Sequence, residues 1–73
     1  MLTEIEREAK FQKAAEKRTN AVLNKLKTLG NLSNKRLYKY DEKEIDKIFK
    51  AINTKVKTVK AMFYDYRKKE FKL

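Results

Sequence analysis

Residues 41–66 read DEKEIDKIFKAINTKVKTVKAMFYDY, and their spacing decides the fold class. Apolar side chains fall at Ile45, Ile48, Phe49, Ile52, Val56, Val59, Phe63 and Tyr66, separated by one, three or four residues, which is helical period. Lysines at 43, 47, 50, 57 and 60 fill the opposite face. Asp41 is placed as the N-cap, with Glu44 three residues on completing a capping box. Tyr40 and Ile45 stand at the two positions of a hydrophobic staple. The pattern predicts a helix over 42–69, with the tail from Lys68 fraying.

Working outward, the first part of the chain repeats the logic. Thr3 and Glu6 form a capping box, and Glu4, Glu6 and Glu8 place negative charge at the positive end of a helix dipole. A weaker stripe follows through Ile5, Gln12, Ala15, Thr19, Val22, Leu26 and Leu29, flanked by Phe11 and Leu23. Thr19 is expected at its edge, bonding the carbonyl one turn back. Gly30, the only glycine, stands where a left-handed C-cap would end a helix over 4–29. Residues 30–40 form the connection, whose Asn and Ser side chains can hold a compact turn. Leu32, Leu37 and the tyrosines are expected to fold back over the open end of the helix pair.

These elements predict an all-α, single-domain protein over 1–73, an antiparallel two-helix hairpin with a loop of roughly ten residues. Leu29 would lie near Ile45, Leu26 near Ile48, Val22 near Ile52 and Ala15 near Val59. Ile48 and Ile52 would thus be buried against Leu26 and Val22, while Ala9, Ala14 and Ala15 face Phe63 and Tyr66. Below about 70–80 residues one core rarely supplies more than about 3–5 kcal/mol. Leu23, Phe49 and Met62 would stay at the border, so a homodimer closing into a four-helix bundle is expected.

Composition excludes several chemistries. The 73 residues contain no cysteine, histidine, proline or tryptophan. Disulfide frameworks, thiolate zinc sites and histidine dyads are therefore absent, and one glycine cannot build a phosphate loop. Ser33 is the lone serine and reads as a turn residue. The acids Asp41, Glu42, Glu44 and Asp46 lack calcium-loop spacing and complement the helix dipole instead. No catalytic residue, metal or cofactor is expected. No apolar run is long enough to span a membrane, and the start does not read as a secretory signal. The expected location is the cytoplasm. A membrane-surface helix is disfavoured because the two stripes are taken to cover each other.

Charge is the informative feature: 20 Lys+Arg against 10 Asp+Glu, a formal net charge of +10. Residues 17–40 carry Lys17, Arg18, Lys25, Lys27, Lys35, Arg36 and Lys39 and no acid. Residues 47–64 carry Lys47, Lys50, Lys55, Lys57 and Lys60, again without an acid. Acid-free basic stretches are the electrostatic footprint of a polyanion binder, although lysines on a helix exterior also serve as a solvated face. In the loop, cations alternate with tyrosines, so Tyr38 is placed either to stack on unpaired bases or to cover the core. Arg18 is placed toward solvent, with a ligand as the alternative. The expectation is a small nucleic-acid-binding accessory protein, DNA or RNA, with phosphate contacts from Lys25, Lys27, Lys35, Arg36 and Lys39 and with Tyr38 beside them. The alternative is a regulator that lays a helix face on a larger protein.

The run Arg18-Thr19-Asn20, then Leu29-Gly30-Asn31-Leu32-Ser33-Asn34-Lys35, then Tyr38, Tyr40 and residues 47–52, resembles small helical proteins of unassigned function from Firmicutes and their mobile elements. The similarity covers about residues 11–63, and its most specific piece is Gly30-Asn31-Leu32-Ser33-Asn34. The resemblance implies a defined role for that loop and a phage, plasmid or defence-related setting. The chain departs from the pattern at Leu37, where the resembling proteins carry a small polar residue.

Overall fold

The computed structural model describes residues 2–68, with side chains through residue 64. The chain is all-α. Helix α1 spans Glu4–Gly30, a short 3₁₀ turn spans Asn31–Ser33, and helix α2 spans Glu42–Lys68, with no strand among the described residues. The structure divides into two compact units, the first ending at Lys39 and the second beginning at Tyr40.

Both helix starts are built as their sequences require. The Thr3 hydroxyl accepts from the Glu6 N–H at 3.1 Å, and the Thr3 N–H donates to Glu6 Oε1 at 2.8 Å. Asp41 and Glu44 repeat the exchange at 2.8 and 3.0 Å. Each box satisfies two backbone or near-terminal groups that the helix itself leaves open. The two hydrogen bonds onto Glu6 and its partner hold the Glu6 carboxyl below the usual glutamate value near 4.5. Tyr40 and Ile45 are half-buried among exposed neighbours, the pattern a hydrophobic staple produces.

The end of α1 departs from expectation. Gly30 has φ −60° and ψ −24°, and no described residue has positive φ. The helix does not stop on a left-handed glycine. The Asn31 N–H still bonds back to the Lys27 carbonyl, and the coil tightens into the 3₁₀ turn before Asn34 becomes extended at φ −69°, ψ 102°. Tightening of this kind uses carbonyls that a helix end would otherwise leave open. The threonines that bond one turn back are Thr28, to Asn24 O at 3.1 Å, and Thr58, to Thr54 O at 3.0 Å, rather than Thr19.

No described side chain is fully buried. Two helices joined by a loop make the all-α hairpin that the sequence predicts; Ile48, Leu26 and Val22 are 36%, 40% and 57% exposed, and Ile52 is half-buried. Within each unit, one helix has no second layer on which to bury its stripe. Tyr66 as the last stripe residue, and position 69 and the tail beyond it, lie outside the described side chains or residues.

Candidate nucleic-acid interface

The expected phosphate contacts all belong to the first unit, at the C-terminal part of α1 and in the segment that follows it. Asn34 organises that segment. Its Oδ1 accepts the Arg36 N–H at 3.0 Å, while its carbonyl accepts the N–H groups of Leu37 at 3.1 Å and Tyr38 at 3.0 Å. An extended backbone, a side-chain oxygen on the second N–H, and a carbonyl on the third and fourth are the bonding pattern of a helix N-cap. Here they close a single turn. The expected compact loop is present, and Asn34 is its organiser.

This turn brings Lys35, Arg36 and Tyr38 together within four residues, with Lys39 next in the chain, all exposed. Leu37 is 72% exposed and does not fold back as expected; Leu32 and Tyr38 are also exposed. The turn's own hydrogen bonds set the backbone, and the first unit offers no apolar layer for these side chains to cover. Tyr38, at 46% exposed, keeps part of its side chain in solvent.

Lys25 and Lys27 are not brought together. At ~100° per residue they point ~160° apart around α1. Lys27 stands in the last turn, where a cation complements the helix dipole. Lys25 shares its face with Arg18, two turns earlier, within ~20°. Arg18 and Lys25 are both exposed. The seven-residue separation was the available signal.

Electrostatically, the first unit is polarised along its chain. Its acids, Glu4, Glu6, Glu8 and Glu16, precede residue 17, and the acid-free stretch begins there. Among the described residues, no group of three or more acidic side chains is placed to hold a metal ion. No described helix is long and apolar enough to cross a membrane. Comparison with family models, curated proteins and solved structures returned no match.

Proposed function

We propose that the chain is a non-enzymatic, phosphate-directed nucleic-acid-binding accessory protein, acting in the cytoplasm as a homodimer alongside a larger bacterial or phage assembly. The supporting observation is the Asn34 turn: it displays Lys35, Arg36 and Tyr38 inside a stretch of 24 residues, 17–40, that contains no acid. Lysine and arginine there neutralise phosphates with little base selectivity, and Tyr38 offers a stacking face to an unpaired base. The exposed apolar stripe of α2 favours the second reading, a regulator docked on a larger protein.

Salt separates the two. Fluorescence anisotropy of labelled single-stranded and duplex oligonucleotides, measured across a salt series, should show affinity falling steeply with salt for the wild type. Lys35→Ala/Arg36→Ala should weaken all sequences alike and flatten the log–log slope by about 1.4–1.8, two contacts' worth. Absence of binding to DNA or RNA at low salt would overturn the proposal and leave the positive surface as a solvated face.

A further inference from the structure

The apolar seam of α2 alternates steps of four and three: Ile45, Phe49, Ile52, Val56, Val59, Phe63. That is an uninterrupted seven-residue repeat with both inward positions apolar, the pattern that drives helices to supercoil about one another. The seam spans 19 residues, about 27 Å at ~1.5 Å per residue; Ile45 and Ile52 are half-buried and its other four residues are exposed, Val56 and Phe63 to 56% and 60%. The equivalent positions of α1 are Glu8, Gln12, Ala15, Thr19, Val22, Leu26 and Leu29, of which only the last three are large and apolar. Those three large side chains answer only half of the six-residue α2 seam.

We infer that α2 pairs antiparallel with α2 of a second copy, with the two-fold axis passing near Thr54. This goes beyond the phosphate-binding reading and does not depend on it. In this register every seam residue from Ile45 to Phe63 finds a partner. Phe49 meets Val59 of the second copy, Val56 meets Ile52, and Phe63 meets Ile45, so each aromatic ring faces a β-branched side chain. Residues beside a seam set partner and orientation. Antiparallel pairing brings Asp46 to Lys60 of the second copy twice by symmetry, and Ile48 to Met62 twice. Met62, 69% exposed in the single chain, would thereby be covered. Between residues 45 and 63 the only like-charge approach is Lys55 to its own symmetry mate. Parallel pairing instead brings Lys55 to Lys60 twice and Asp41 to Asp46 twice. Charge complementarity therefore selects both the occupant and its direction.

Sedimentation velocity on the full chain over a concentration series should show a monomer–dimer equilibrium. Lys60→Asp should weaken it about 3–30-fold, since two Asp46–Lys60 contacts turn repulsive, and the swap Asp46→Lys/Lys60→Asp should restore it. Lys55→Gln should tighten the dimer. All these positions are exposed, and circular dichroism would confirm retained helix. Because the chain has no cysteine, an Asp46→Cys chain mixed with a Lys60→Cys chain should form a mixed disulfide, whereas neither alone should crosslink to itself. A monomer at all concentrations, or failure of the charge swap to restore association, would overturn the inference. So would efficient disulfide formation by Asp46→Cys alone. Nucleic-acid binding is read separately, so its loss leaves the dimer result standing.

Discussion

In the connection, Asn34 organises three N–H groups through one side chain and one carbonyl. Replacing it tests whether turn geometry or charge governs binding. Asn34→Ala removes the cap and should loosen the turn by about 0.5–2 kcal/mol. Oligonucleotide affinity should fall with the salt slope nearly unchanged per remaining contact. Asn34→Asp keeps an acceptor of equal capping quality but introduces negative charge, so the turn should persist in NMR amide shifts while affinity still falls. If both variants bind like wild type, the turn does not present the binding residues. At the other end of the first unit, the Glu6 carboxyl is held below its ordinary range by hydrogen bonds with Thr3. A depressed folded-state pKa contributes stability that is present above the unfolded value and is lost as pH falls through the folded one. Protection of the Thr3 amide should therefore decline on acidification below about pH 4.5. Glu6→Gln, which retains the box with a neutral acceptor, should flatten that titration.

At the scale of the element, α1 shows how a helix end is chosen. Gly30 lies at an ordinary helical φ of −60°, and a Cβ built there meets nothing within 4 Å. Gly30→Ala is therefore expected to stabilise the end of α1 by about 0.4–1 kcal/mol, read as a higher thermal midpoint or greater helicity. Destabilisation would mean that the glycine adopts a positive φ when the protein functions. The extent of both helices was legible in sequence because the boxes and the three–four stripe spacing are local: Thr3 reaches Glu6 and Asp41 reaches Glu44 within one turn. The expected cap at Gly30 failed for a related reason. Glycine permits a left-handed residue without requiring one, and the following Asn-Leu-Ser continues the coil at lower cost than reversing it. Leu37 was misplaced because the Asn34 hydrogen bonds, rather than apolar burial, determine that turn.

For the whole molecule, the two proposals make a joint prediction. In an antiparallel α2 pair centred near Thr54, the two Glu42 residues stand 24 rises apart, about 36 Å along the helices. The chain enters α2 at that end in each copy. The spacing is close to one turn of B-form duplex, about 34–36 Å. A dimer-weakening variant such as Lys60→Asp should then lose affinity for duplexes longer than one turn by much more than for short single strands. Equal losses on both would show that the two Asn34 turns do not engage one duplex together.

Sequence alone determined the two helices, their caps, the polarity of charge along the first unit and the uninterrupted α2 seam. All of these depend on residues a turn or two apart, where backbone geometry dictates which side chains meet. Only the three-dimensional structure decided that Gly30 is helical, that Asn34 closes the turn, and that no described side chain is fully buried. Burial is the least local of these properties. A stripe specifies which side of a helix is apolar, but removing it from water takes a second surface, and neither unit supplies one from within itself.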